Sequence, residues 1–231
     1  MRKLIVGLDV LAVILGGGLF PDSQVRSTTE SRVASQLADG LGAPAGAATV
    51  KLGGTPFALW YLTHSVPNAA IAVSSFPVEV NTTTVTLTKL QCTTGGLVVT
   101  DADVIAQSVS GTVQVSYGEL SRVSGLQVSD GGDGWLKARF STTFLGQSIK
   151  GDIMARPQVD PETHKLRLAG AQVWVAEWKL DSDKLQQVSD VVAGLLDLAL
   201  PYGLDLVGFQ PGPDGVTLGF SARTMTVPID Q

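Results

Sequence analysis

The chain has 231 residues, with 16 lysines and arginines against 21 aspartates and glutamates and a formal net charge of −5. Apolar residues make up 44% and charged residues only 16%, which excludes a disordered chain and favours a membrane-linked or ligand-enclosing protein. No basic run could neutralise a series of phosphates, so nucleic acid is not expected as a partner. The single cysteine, Cys92, excludes an intramolecular disulfide and a thiolate metal site.

The first 20 residues are predicted to be a signal peptide or an N-terminal anchor. They begin with Met1, Arg2 and Lys3, and then run to Phe20 with the single charge of Asp9. A carboxylate in the middle of a membrane span costs about 2.5 to 3.5 kcal/mol, which favours a cleaved signal over a permanent anchor. A buried N-terminal strand or helix is the alternative. The segment therefore predicts an exported protein.

An amphipathic helix is predicted from Asp22 to Leu41. Its apolar stripe recurs every fourth residue and consists of Val25, Thr29, Val33, Leu37 and Leu41. A connector rich in glycine, alanine and proline follows and leads into the densely apolar residues 56–62.

Beyond Asn68 the dominant period is two, which is typical of strands with one apolar face. The alternating residues include Ile71, Val73, Val85, Leu87, Val113, Val115, Tyr117, Leu136, Ala138, Phe140, Trp174, Ala176, Trp178, Leu180, Val216, Leu218 and Phe220. Hairpin turns are predicted at residues 129–134, 160–163 and 211–215, and adjacent hairpins predict an antiparallel sheet. A second amphipathic helix is predicted from Asp181 to Ala199, and residues 22–231 are predicted to form one domain.

No motif for catalysis, a cofactor or a metal is found. His164 is predicted to be a turn residue, and His64 follows the apolar residues 56–62 without a second ligand at helical spacing. Neither of the familiar contexts of a serine nucleophile is present, and the glycine-rich stretches match no nucleotide-binding pattern. No enzyme and no cofactor are therefore expected.

The apolar residues fit a carrier of lipid. An acyl chain of about sixteen methylenes costs on the order of 13 kcal/mol in water, at roughly 0.8 kcal/mol per methylene, so that a soluble carrier must enclose it. The same residues could instead pack against one another in an ordinary core.

Three segments carry a resemblance to a known family: Gly53–Leu62 (GGTPFALWYL), Val113–Leu120 (VQVSYGEL) and Leu200–Leu206 (LPYGLDL) with Asp214–Val216 (DGV). They resemble the corresponding segments of the LmeA-like phospholipid-binding proteins of actinobacterial cell envelopes. The segments occur in the expected order and extend over most of the chain from about residue 20.

The resemblance implies an α+β fold of the tubular lipid-binding type, in which a strongly curved antiparallel sheet wraps around a long amphipathic helix and encloses an apolar lipid-binding cavity. It implies an exported protein that binds phospholipid or a related lipid, for lipid shuttling or the upkeep of envelope lipids and lipoglycans, with a membrane surface as second partner.

The residues expected to contact lipid come from the apolar segment, one strand face and the second helix. They are Phe57, Leu59, Trp60, Leu62, Trp174, Trp178, Leu185, Val188, Val192, Leu195, Leu196 and Tyr202. Each of them could equally be an ordinary core residue. Two other functions stay open: a non-catalytic periplasmic scaffold with a packed core and a protein partner, and an enzyme of envelope lipids.

Overall fold

The computed structural model describes residues 22–54, 65–80, 83–100, 103–144, 147–164, 166–175 and 204–228. Within them lie the helices α1 (Asp22–Leu41) and α2 (Tyr117–Ser124). The strands of the described residues are β1 (Ala48–Leu52), β2 (Ser65–Val66), β3 (Ala69–Val80), β4 (Thr83–Thr94), β5 (Leu97–Val99), β6 (Asp103–Ala106), β7 (Val109–Ser116), β8 (Gln127–Gly132), β9 (Trp135–Phe144), β10 (Gln147–Val159), β11 (Leu166–Val175), β12 (Asp205–Gly212), β13 (Gly215–Ala222) and β14 (Met225–Pro228).

The strands form three sheets. Their orders are β1-β3-β4-β7-β13-β12, β11-β10-β9-β8 and β14-β6-β5-β2. Successive long strands pair antiparallel, as in β3 with β4 and in β9 with β10. The β8–β9 and β10–β11 pairs are antiparallel as well, which confirms the hairpins predicted at residues 129–134 and 160–163. In the part of the chain that the structure describes, no helix is both long and apolar enough to cross a membrane.

The predicted fold class is wrong. The described chain consists mainly of antiparallel strands, and its two helices, α1 and α2, are not a long amphipathic helix with a sheet wrapped around it. An apolar stripe predicts that one side of a helix is buried, but it does not predict how many strands pack against that side. The strands that α1 contacts are β1 and β3, at one edge of the six-stranded sheet. The helix predicted from Asp181 to Ala199 lies outside the described residues.

The chain divides into two compact units. The first contains residues 1–113, 201–205 and 220–231, and the second contains residues 114–200 and 206–219.

In the first unit, α1 has the predicted bounds and buries the predicted stripe from Thr29 to Leu41, while the side chain of Val25 lies outside the described residues. Thr29, Val33, Leu37 and Leu41 are all buried there. β1 alternates strictly between buried and exposed residues, which gives the helix an apolar strand to pack on. Burial of one helix face stabilises α1, because its many serines and threonines give it little intrinsic helix propensity.

Side chains of α1 also bind backbone groups near the end of β1, the outermost strand of its sheet. The Glu30 carboxylate accepts a hydrogen bond from the backbone N–H of Leu52 at 2.8 Å. The Arg26 guanidinium donates to the carbonyl oxygen of Gly54. Backbone groups of an edge strand would otherwise be open to another chain, so these contacts protect the edge of the sheet.

Cys92 lies in β4. Burial raises the pKa of its thiol from 9.0 to about 11, so the sulfur is a neutral thiol at neutral pH. Cys92 is therefore not in its reactive form at neutral pH, because the thiolate is the nucleophile.

In the second unit, α2 follows β7 directly and begins at Tyr117. The hydroxyl of its N-cap residue Ser116 accepts a hydrogen bond from the backbone N–H of Glu119 at 3.2 Å. Gly125 ends the helix with a φ of 69° and donates its N–H to the carbonyl of Ser121. The alternation predicted Tyr117 in a strand, which is wrong, although Ser-x-x-Glu is the signature of a capping box.

Candidate functional site

The four strands β8–β11 of the second unit form a sheet whose two faces differ in chemistry. We define its apolar face by six residues of the two central strands: Leu136, Ala138, Phe140, Gly151, Ile153 and Ala155. The register of β9 and β10 places these residues opposite one another in pairs, and side chains of paired residues share a face. The alternation predicted for β9 is confirmed.

A glycine makes room for an aromatic ring on the apolar face. A Cβ added to Gly151 would lie 2.5 Å from the ring of Phe140, so the ring lies against the glycine backbone. The two residues are directly paired across the strands. Any larger residue at position 151 would displace the ring.

The apolar face is not buried evenly. Leu136, Ile153 and Ala155 are buried, but Ala138 and Phe140, which continue the same row along β9, are only half-buried. The sheet therefore offers partly open apolar surface at Ala138 and Phe140, where a methylene chain would find contacts.

The opposite face of the same sheet is charged. An ion-paired cluster is centred on Asp152, whose carboxylate contacts the Nζ of Lys137 at 3.0 Å and the Nε of Arg139 at 2.9 Å. Hydrogen bonds from Arg139 and Lys137 lower the pKa of Asp152, so this carboxylate stays ionised and keeps both cations in place. Trp174 of β11 pairs directly with Asp152 and is 50% exposed.

The hydroxyl of Tyr117, at the start of α2, donates a hydrogen bond to the carbonyl of Gly212 at 2.7 Å. Burial, and next the carboxylate of Asp130, raise the pKa of Tyr117, so the hydroxyl remains protonated and able to donate. This bond ties the helix that follows β7 to the hairpin of β12 and β13 over 95 positions of sequence.

Gly215, at the start of β13, lies in close contact with Val115 and Ser116 at the end of β7. Its φ is 153°, and a Cβ built on it would lie 2.2 Å from the carbonyl oxygen of Val115 and 2.9 Å from the Cα of Ser116. Only a residue without a side chain allows the two backbones to approach so closely.

Residues 21–221 match the model of the LmeA-like phospholipid-binding family. The chain belongs to this family. No match was found among curated proteins or among solved structures. The match confirms the predicted resemblance over most of the chain, and phospholipid binding is the property by which the family is described.

Two of the segments that carry the LmeA-like resemblance meet in the second unit. Tyr117 belongs to the segment Val113–Leu120, and Gly215 belongs to Asp214–Val216. The Tyr117 bond to Gly212 and the close approach of Gly215 to Val115 join them. These LmeA-like residues thus act in the fold of the unit.

Replacement of Tyr117 by phenylalanine is expected to lower the free energy of unfolding by about 1 kcal/mol. The ring keeps its packing, but the carbonyl of Gly212 loses its donor. Urea unfolding followed by circular dichroism measures the change. Ser129→Ala is a control that removes an exposed hydroxyl from the neighbouring strand β8, and a loss equal to that of Tyr117→Phe would contradict a special role for the tyrosine.

Of the residues expected to contact lipid, Trp174 is within the described part of the chain, and its role stays a prediction. The others lie outside the described residues: Phe57, Leu59, Trp60, Leu62, Trp178, Leu185, Val188, Val192, Leu195, Leu196 and Tyr202. His64 lies outside them as well, whereas His164 ends the β10–β11 turn, as predicted.

An open groove of about 460 Å³ lies between α1 and β1 in the first unit. Its helical wall carries Ser27, Ser31, Ser35 and Asp39, and no aromatic residue lines it. Ala34, Ala38 and Val50 also line the groove, so small apolar and polar side chains alternate there. Among the described residues no group of three or more His, Cys, Asp or Glu side chains could hold a metal ion.

Proposed function

We propose that this member of the LmeA-like family is an exported cell-envelope protein that carries phospholipid. It binds the acyl chains in an apolar cavity whose wall includes the apolar face of the β8–β11 sheet. The observation that carries the proposal is the family match over residues 21–221, and the half-buried apolar surface at Ala138 and Phe140 supports it.

Burial of acyl chains suffices for this function, and no bond is made or broken. At roughly 0.8 kcal/mol per methylene, contact with apolar side chains offsets the cost of taking a lipid from a bilayer. Ala138 and Phe140 belong to a paired row of strand residues, so their surface is held by the backbone hydrogen bonds of two neighbouring strands. Because this apolar wall is already rigid, binding of the ligand does not carry the entropic cost of ordering it.

A carrier of this kind collects lipid at one membrane surface and releases it at another place in the envelope. The N-terminal residues 1–20 direct export, and transient contact with a membrane completes the cycle. The composition supports this proposal, because an acidic protein with little charge and much apolar surface suits an enclosed lipid better than a charged ligand.

Native mass spectrometry with lipid extraction tests the proposal on protein expressed without residues 1–20. We expect phospholipid to accompany the protein in nearly equal molar amount. A mass without lipid that stays unchanged after incubation with envelope phospholipid would contradict lipid carriage. In that case the scaffold with a packed core and a protein partner is the better explanation.

A further inference from the structure

The outer face of the β9–β11 strands is basic although the protein as a whole is acidic. We define this basic face by four cations, one carboxylate and one exposed indole: Lys137, Arg139, Lys150, Arg156, Asp152 and Trp174. The single acidic residue among four basic ones contrasts with the net charge of −5 of the chain.

The cations of this face are held in place and remain accessible. Asp152 binds Lys137 and Arg139 together, and its one charge cancels only one of theirs. The side chain of Arg139 is 56% exposed, and Lys150 is exposed two positions along β10 from Asp152. The guanidinium of Arg156 lies 5.1 Å from the centre of the Trp135 ring on the same face. Such a cation–π contact orients Arg156 without cancelling its charge.

Exposed tryptophan beside exposed cations is the chemistry of a protein surface that meets a lipid bilayer. Indole prefers the interface between headgroups and acyl chains, and Trp174 is 50% exposed next to the Asp152 cluster. Lysine and arginine can lay their methylene stems on apolar surface while their charges reach phosphate groups. Nucleic acid fits less well, because four cations can neutralise only a few phosphates of a duplex.

We propose that the basic face docks the protein on the surface of a bilayer that contains anionic phospholipid. Lys137, Arg139, Lys150 and Arg156 bind headgroup phosphates, and Trp174 inserts its ring at the interface. The docking rests on the proposed function in one respect: a lipid carrier must visit a membrane. The docking surface and the acyl wall are opposite faces of one sheet, so each can be changed separately.

The test measures binding to vesicles of phosphatidylcholine with and without phosphatidylglycerol by flotation. The variant Lys137→Gln/Lys150→Gln removes two charges and leaves the Arg139–Asp152 pair intact. Each lysine near an anionic surface contributes about 1 kcal/mol, so we expect binding to the anionic vesicles to fall at least about tenfold. The matched control is Lys51→Gln/Lys89→Gln, which removes two exposed lysines of the first unit and is expected to bind within about twofold of the wild type.

A second variant, Trp174→Ala, separates the indole from the charges. It is expected to weaken binding to vesicles while the salt dependence stays that of the wild type, because no charge has been removed. The lysine variant is expected to show a smaller salt dependence.

Three results would overturn the docking proposal. They are an absence of wild-type binding to anionic vesicles, an equal loss in the two lysine variants, and a preference for oligonucleotides over anionic vesicles. Native mass spectrometry of the same samples distinguishes docking from lipid carriage. Retained phospholipid in Lys137→Gln/Lys150→Gln shows that the variant is folded, whereas wild-type protein without lipid that still binds vesicles through this face would contradict carriage and leave docking supported.

Discussion

Replacement of Gly215 by alanine is expected to lower the free energy of unfolding by about 3 kcal/mol or more. The new Cβ would lie 2.2 Å from the carbonyl oxygen of Val115 and 2.9 Å from the Cα of Ser116, and both are backbone atoms that cannot rotate away. The φ of 153° adds backbone strain for any residue with a side chain. β13 would therefore have to move away from β7, and the neighbouring Tyr117 bond to Gly212 would be affected.

The control lies three residues away in the same hairpin. A Cβ at Gly212 would be 3.6 Å from the carbonyl oxygen of Gly215, which is an ordinary contact. Gly212→Ala is therefore expected to change the free energy of unfolding by less than about 0.5 kcal/mol. Urea unfolding followed by circular dichroism compares the two variants with the wild type. Equal stabilities of the two would show that the close approach of β13 and β7 does not constrain the fold.

Replacement of Ala138 by tryptophan is expected to reduce phospholipid binding about thirtyfold. Ala138 is half-buried in the centre of the apolar face, between its paired neighbours Val128 and Ile153. A ring in this place excludes about three methylenes of an acyl chain, which corresponds to about 2 kcal/mol. Titration with a fluorescent phospholipid measures the affinity, and native mass spectrometry measures the lipid that remains bound.

Ser129→Trp is the matched control, because it adds a ring to the same sheet on the other side. Ser129 is exposed and pairs with Lys137, and this pair is directly next to the Val128–Ala138 pair along the two strands. We expect this variant to bind phospholipid as the wild type does. If both tryptophan variants keep full affinity, the acyl chains are not held by the β8–β11 sheet. A loss in both would indicate a damaged sheet, which circular dichroism would detect.

Local features of the chain were predicted well where neighbouring residues decide them. The stripe from Thr29 to Leu41 gave α1 with its observed bounds, because 3.6-residue periodicity and the proline before it are local signals. The β8–β9 turn was predicted for a similar reason. Asp133 and Gly134 both have positive φ, the geometry that an Asp-Gly pair favours in a two-residue hairpin.

Features that depend on strand register were not predicted. The basic face joins Lys137 and Arg139 of β9 with Lys150 and Arg156 of β10, and these cations form no run in the sequence. The composition indicated no basic cluster for this reason. The predicted fold class was wrong for a similar reason. The apolar stripe of α1 does not specify that the helix packs on β1 and β3.

α2 is a different case, because its signals were present and local. Ser116 and Glu119 form the capping pair, and Gly125 stands at the C-cap. The apolar alternation through Val113 and Val115 suggested that the strand continued through Tyr117. A hydrogen-bonded N-cap ends the strand there, which periodicity alone cannot show.

The opposite chemistry of the two faces of the β8–β11 sheet limits how this chain can vary in evolution. Because successive side chains point to opposite sides of a strand, insertion of one residue into β9 would bring Lys137 and Arg139 to the side of Ile153 and expose Ala138 and Phe140. Insertion of two residues would restore the alternation. Length differences among natural relatives are therefore expected to be even-numbered within β9 and β10, and to be unrestricted only in the turns.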